Sequence, residues 1–588
     1  MARIGIFLIV VVLVMGMVGC AQPAQYNLTI STTEGGEIAT PGDTISSYEE
    51  GTVVPIVAFP HAGYQFVNWT GDVDAVGDVN AGSTTITMKD DCSITANFEE
   101  IPADRPAITF AVAGPMTEFQ GKHQWWGAEL ARDEINGGLG VNVGGVYHKI
   151  ELVQVDTNES PGTPDEAVTA LQSVINDVDF VLGGSNADSV AVYREVAMDG
   201  KRVFMNCDAN AGSLQYSVVD DYDRYKYWFK SMPTNEVFLV GGSVFRMIAV
   251  VGGVLKDTLL SHGDAVAEDY RVPEDGKLRV ALVMDEAPWG DRLVTAAQGW
   301  LPLAGFTCVG TWQVSATADD ISAELTAVRA AKPHVIFCAF AGPVSIVYSK
   351  QKTELGIPAM TIGINEVEGQ LESHWADTDG KCNGEIQLDL WAEGLQNTPK
   401  TAAFLDAFVA KTRQYPIYHA ATYDTIHQLK EAIEAVSFAH DWSSITDVID
   451  PANIDALIQY LETSSYTGAA GTNAYYPMPA INLGNGVHAL SEAQVRALYP
   501  RLGTYNQNDW KCTVTALGGP HIAHDLVYGP GYQTSIGSQW QDGHKVGIWP
   551  IDFGRDSDAA LTDKYGCWNF EYPGTVDVLI PIEGFLEQ

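Results

Sequence analysis

Positive charge is what this chain has least of. Lysine and arginine total 33 against 74 aspartate and glutamate, a formal net charge of −41 over 588 residues. So acidic a surface repels phosphate backbones and anionic headgroups, which excludes nucleic acid as a partner. Cysteine is sparse too: eight residues, scattered, without a CxxC pair, so zinc-ligand spacing is absent and no metal is expected. The sequence has no GxSxG nucleophile elbow, no HExxH helix and no GxGxxG turn. An enzyme is therefore not expected, nor is any cofactor. The stretch "HIAHD", 521–525, offers two histidines and an aspartate, but with no other ligand cluster beside it.

Long apolar runs are nearly absent. The exception is the start, "MARIGIFLIVVVLVMGMVGC", with one arginine ahead of the run and small residues before Cys20. That pattern predicts a secretory leader rather than a membrane span. The ending Val18-Gly19-Cys20 resembles a bacterial lipobox, which implies cleavage after residue 19, acylation of Cys20 and an extracytoplasmic protein tethered to the membrane by its lipid. Of the other cysteines, Cys308 and Cys338 sit in apolar runs as expected buried thiols. Cys512 and Cys567 are candidates for one disulfide.

What is present is core-forming material. An apolar fraction of 46% rules out a mainly disordered chain, and the length calls for two to four domains. Residues 26–100 read as short alternating strands broken by Gly, Pro and Asp, a small all-β module. Tyr64, Phe66 and Trp69 would fill its core, with Gly63 and Gly71 turning the strands. The ordered markers "YNLTISTTEGGEIATP", "YEEGTVV", "AFPHAGYQFVNWTGD" and "TITMKDDCSITANFE" resemble internalin-type B-repeat modules of bacterial surface proteins. Such a module implies a spacer or adhesion element. "EEIPADRP", 99–106, follows as a linker.

From Ala107 onward, apolar strands alternate with amphipathic helices. "ITFAVAGP", "KIELVQVDT", "VDFVLGG" and "RVFMNC" are strands; "TPDEAVTALQSVIN" and "DSVAVYREVAMDG" are helices, the first with Thr163 as N-cap. The rhythm restarts with "KLRVALVMD", "FTCVGTWQV", "HVIFCAF" and "AMTIGI" as strands. This predicts an α/β fold of two Rossmann-like lobes: lobe 1 about 107–232 plus 375–480, lobe 2 about 233–374 plus 481–588. Open α/β sheets bind ligands beyond the carboxyl ends of their strands, so facing lobes make a cleft.

Several stretches in order, "GAELARDEIN", "VLGGSNADS", "VMDEAPWGD", "HAATYDTIHQLKEAIEAV", "HDLVYGPGY" and "QWQDGHKVGIWP", resemble the leucine/isoleucine/valine-type substrate-binding proteins of ABC transporters. That family has the type I periplasmic-binding-protein fold. The resemblance implies capture of a small solute, an amino acid or amide-like compound, and delivery to an ABC permease by a protein expected to be a monomer.

It also places ligand-facing residues: Phe119 and Gln120 in the first loop; Ser185, Asn186, Ala187 and Ser189 in the second; Ala209 and Asn210 in "NCDANAG"; Trp289 as an aromatic wall; and Glu366, or its neighbour Glu368, for a ligand ammonium. Asp188 departs from the family's small hydroxyl and would oppose a ligand carboxylate unless it caps the helix that begins there. Tyr423 can face the ligand or the core. Trp125 and Trp126 cannot share one helix face; one joins the core and the other turns to cleft or surface. The chain also departs from the family in an insertion near 257–276 and a long extension beyond Tyr423. A rival use of the same fold is a ligand-sensing or adhesive surface lipoprotein without a transport role.

Overall fold

The computed structural model describes residues 24–42, 45–61, 63–159, 164–231, 244–302, 304–365, 371–475, 526, 536–549 and 576–587. The leader with Cys20, the cap candidate Thr163, Glu366 and Glu368, Cys512, Cys567 and the stretch 521–525 lie outside the described residues.

The N-terminal module is two antiparallel-rich sheets. One orders Ile45–Glu49, Gln25–Thr32, Cys92–Glu100 and Tyr64–Gly71; the other orders Gly36–Thr40, Val53–Pro60 and Ser83–Thr87. Alternation puts Leu28, Ile30, Val54, Ile56, Ile86 and Ile94 inside. Trp69 is 2% exposed and its indole N–H donates to the Ala81 carbonyl at 3.0 Å. Phe66 packs on Trp69 and Phe98, with ring centroids 5.5 and 5.8 Å apart. Tyr64 does not join this core; it lies across Gly35, where a Cβ would meet the ring.

The body carries two large sheets and the small two-stranded sheet Ser465–Thr467 with Thr472–Ala474. In the first, Trp228–Lys230, Phe204–Asn206, Phe180–Gly183, Ala107–Gly114 and Val146–Asp156 run parallel, and Val141–Val143 closes the edge antiparallel. In the second, Phe306–Val314, Leu278–Asp285, Val335–Phe340, Met360–Asn365 and Ile386–Asp389 run parallel, extended by the hairpin Ile536–Gln541 and His544–Trp549. Strands such as Val335–Phe340 are buried along their whole length because helices cover both faces, which is why they read as unbroken apolar runs. Each large side chain so buried, Phe110 or Phe180 for example, stabilises by about 1.5–3 kcal/mol.

Among the described residues, first-lobe elements run to Ser231 and second-lobe elements start at Val244, the chain returns to the first lobe between Asp389 and Tyr418, and the hairpin from Ile536 lies again in the second lobe. The helices Thr422–His440 and Ile454–Thr463 complete the first lobe's core. Ile386–Asp389, expected in lobe 1, is a strand of the second sheet, so the return to lobe 1 comes after it. In the extension beyond Tyr423, the hairpin Ile536–Gln541 with His544–Trp549 widens the second sheet, and the turn Ile582–Phe585 packs Phe585 against Tyr270 of the 257–276 insertion, with centroids 5.6 Å apart.

The adjacent tryptophans part company. Trp125 packs on the first-lobe core, while Trp126 packs beside Phe408 and His123 under the helix Thr401–Thr412. Neither turns to a cleft. Tyr423 is half-buried, its hydroxyl donating to Glu134 at 2.6 Å.

Candidate functional site

Every parallel sheet ends its strands on a row of loops, and here seven such loops and the end of the strand Met360–Asn365 surround one cavity of about 810 Å³. The first lobe contributes Pro115–Lys122 positions after Ala107–Gly114, Glu159 after Val146–Asp156, Ser185–Asp188 after Phe180–Gly183, and Asp208 and Asn210 after Phe204–Asn206. The second contributes Asp285–Leu293 positions after Leu278–Asp285, Ser315–Thr317, Ala341–Pro343 and Ile364. His419, from the returning segment, completes the wall. Neither the 257–276 insertion nor any described residue beyond His419 lines it.

The loop geometry follows from the sequence. Gly183 and Gly184 both take positive φ, 108° and 89°, and a Cβ on Gly183 would sit 2.1 Å from the Ala113 carbonyl oxygen. That tight turn delivers Asn186 to the start of the helix Ala187–Asp199. Asn186, not Asp188, is the N-cap: its side-chain oxygen accepts from Asp188 N at 3.0 Å and Ser189 N at 3.1 Å. Asp188 sits in the first turn, exposed to the cavity.

Of the residues expected from sequence, Phe119, Gln120, Ser185, Asn186, Ala187, Asn210 and Trp289 line the cavity. Ser189 and Ala209 do not. Ser189 is buried behind the cap, and the Ala209 carbonyl is taken by Asn206 Nδ2 and Lys230 Nζ, each at 2.8 Å. The buried Lys230 ammonium also donates to Asn210 Oδ1, which fixes that loop. Trp289 stands in the first turn of the helix Pro288–Trp300, half-buried against the second-lobe core.

The electrostatics were not anticipated. Six carboxylates line the cavity: Glu118, Glu159, Asp188, Asp208, Asp285 and Glu286. Lys122, Arg292 and His419 are the basic side chains. Glu159 accepts from Thr157 Oγ1 at 2.8 Å, Tyr193 OH at 2.9 Å and the Asn186 amide. Burial pushes its carboxyl up to about 7, against the pull of those three donors. Asp285 is 3% exposed; its Oδ2 accepts from Ala341 N at 2.8 Å, and burial pushes it up to about 6. Asp285 Oδ1 and Gln120 Oε1 are buried acceptors with no hydrogen-bond partner among the described residues. Asp208 Oδ2 meets His419 Nε2 at 2.7 Å.

The missed residues carried a usable signal. Asp285 is the last residue of an apolar strand and Asp208 follows the next strand end of its own sheet, positions that the strand-end rule marks whatever the side chain. His419 heads the stretch "HAATYDTIHQLKEAIEAV" that carries the resemblance, but the strand-end rule does not reach it, since it comes from a segment far along the chain. Among the described residues, no group of three or more His, Cys, Asp or Glu is placed to hold a metal. No helix there is long and apolar enough to cross a membrane.

Two open α/β sheets around a strand-end cavity define a two-lobed binding protein of the type I periplasmic class. The sequence matches the periplasmic binding protein family over residues 107–495, and the chain belongs to that family, whose members bind solutes outside the cytoplasm rather than catalyse. Residues 26–102 match the divergent InlB B-repeat domain. The Leu/Ile/Val-binding protein BraC3 of Rhizobium johnstonii is 22% identical over 361 residues, covering 61% of this chain and 87% of BraC3. The leucine-binding protein LivK of Thermotoga maritima MSB8 aligns with a TM-score of 0.50 at 15% identity, covering 75% of this chain and 98% of LivK. A solute-binding protein of an ABC transporter from R. palustris, solved with benzoate, aligns with a TM-score of 0.50 at 14% identity, covering 76% and 95%. At such identities the likeness shows the shared fold.

Proposed function

We propose that the protein captures one small organic solute, an amino acid or amide-like compound, in the interlobe cavity and delivers it to an ABC permease while anchored outside the cytoplasm through an acylated Cys20. The observation that carries this reading is the cavity itself: about 810 Å³, lined almost wholly by strand-end loops from both lobes. Family membership supports capture, and BraC3 and LivK are named for branched-chain amino acids. Phe119, Gln120, Ser185, Asn186, Ala187, Asn210 and Trp289 are the proposed contacts, with Glu366 added from sequence. Ser189 would act only by holding the cap and Ala209 by holding its loop.

A thermal-shift screen of ligand-stripped protein across amino acids, amides and small carboxylates tests the reading. A raised melting temperature with at least one solute is expected; no shift across the set overturns it. For the anchor, Cys20→Ser is expected to move the protein from the membrane fraction to the soluble one, and retention in the membrane fraction contradicts acylation.

A further inference from the structure

Lys230 is the last residue of the strand Trp228–Lys230, yet its side chain is 0% exposed and lies against the loop that runs from Asn206 to Asn210. It is not among the residues that line the cavity. A buried ammonium has to be met by acceptors, and this one donates to the Asp208 carbonyl at 3.3 Å, the Ala209 carbonyl at 2.8 Å and Asn210 Oδ1. The loop is held from other sides as well: Asn206 Nδ2 donates to the Ala209 carbonyl at 2.8 Å, and Asp208 Oδ2 meets His419 Nε2 at 2.7 Å. Its backbone has little freedom to adapt to a solute.

Asn210 is half-buried and lines the cavity. An asparagine amide ordinarily turns either its oxygen or its nitrogen to a partner, because rotation about the last side-chain bond exchanges the two. Here the choice is made by chemistry: a lysine ammonium has donors only, so the atom that faces it is the oxygen. The carboxylates of the lining, Glu118, Glu159, Asp188, Asp208, Asp285 and Glu286, are acceptors when ionised, so a neutral N–H donor among them discriminates.

We infer that Lys230 is a positioning residue for solute capture: it fixes the Asn210 amide with its nitrogen toward the cavity and so selects a solute that carries an acceptor oxygen at that point. The inference rests on the solute-capture reading and extends it to a residue that does not touch the solute. An unpinned asparagine accepts either kind of partner. One pinned by an ammonium donates, and a solute N–H placed there would meet another N–H.

Calorimetric titration of the ligand-stripped full chain with the common amino acids, benzamide and benzoate identifies the tightest probe, which is then titrated into variants. Asn210→Asp keeps an oxygen for Lys230 but offers the solute an acceptor in place of the N–H donor; Asn210→Ala offers neither. The aspartate variant is expected to bind at least about tenfold more weakly than the wild type, and more weakly than the alanine variant. Lys230→Met is expected to lose at least about tenfold in the wild-type background and less than about threefold in Asn210→Ala, because a residue that acts through Asn210 has nothing left to act on there. A lysine that only supports the fold would lose as much in both backgrounds. That result, no loss from Lys230→Met, or an aspartate variant that binds as tightly as the alanine one overturns the inference and leaves solute capture standing. The Asn210 variants retain Lys230, so they decide the outcome even where Lys230→Met does not fold. Binding by no member of the set overturns the capture reading and this inference with it.

Discussion

His419 Nε2 lies 2.7 Å from Asp208 Oδ2, both side chains almost fully buried and 211 positions apart in sequence. The pair ties the returning segment to a cavity loop of the first lobe. Removing one member of a buried pair strands the other, at a cost of roughly 3 kcal/mol. His419→Ala should therefore lower the thermal midpoint by several degrees and weaken solute binding together. A variant that melts with the wild type shows that the pair does not hold the loop.

Trp289 sits on the first turn of its helix with one face to the cavity. Trp289→Ala should weaken the bound solute about tenfold or more while leaving the melting temperature of the empty protein within a few degrees. Unchanged affinity removes Trp289 from the site.

Binding should depend on pH in one direction. Burial pushes the empty cavity's Glu159 up to about 7 and Asp285 up to about 6, with Glu118, Asp188, Asp208, Glu286, Lys122, Arg292 and His419 as the other titratable side chains of the lining. A cationic solute lowers both values, so the complex holds fewer protons than the empty protein. Affinity for a solute that carries an ammonium group then falls as pH drops from 7.5 to 5, and binding near pH 6.5 releases protons. Titrations across that range, in buffers of different ionisation enthalpy, check both; affinity that rises on acidification contradicts the assignment.

In the second lobe Lys545 Nζ meets Asp389 Oδ2 at 2.6 Å, linking the last parallel strand to the closing hairpin, and burial holds the Asp389 carboxyl above its ordinary range. Lys545→Met leaves that carboxylate unpaired and should cost about 3–5 kcal/mol, whereas Asp389→Leu with Lys545→Met together should recover most of it. Urea midpoints of the single and double variants check this; equal losses in both would show that the charges do not act as a pair.

Much of the fold was legible in the sequence because strands buried on both faces must be apolar throughout: "HVIFCAF" and "KLRVALVMD" leave little choice. Sheet membership was less so. Ile386–Asp389 has the same local character as a first-lobe strand, and only its pairing with Met360–Asn365 assigns it. The helix cap was misplaced because Asn186 and Asp188 are both good caps two residues apart, and the extended backbone of Asn186 decides between them. Seven lining residues could be placed through the family resemblance, which sets them on the strand-end loops. The carboxylate character of the cavity could not, since it arises where Glu159, Asp208 and Asp285 come together from separate strand ends. Trp126 packs beside Phe408, on a helix of the segment that returns to the first lobe.

The most direct test of the account is a crystal structure of the protein with the solute that most raises its melting temperature. Density in the cavity between Phe119, Asn210 and Trp289 is the expected result. Density bound elsewhere, with this cavity holding only water, would contradict it.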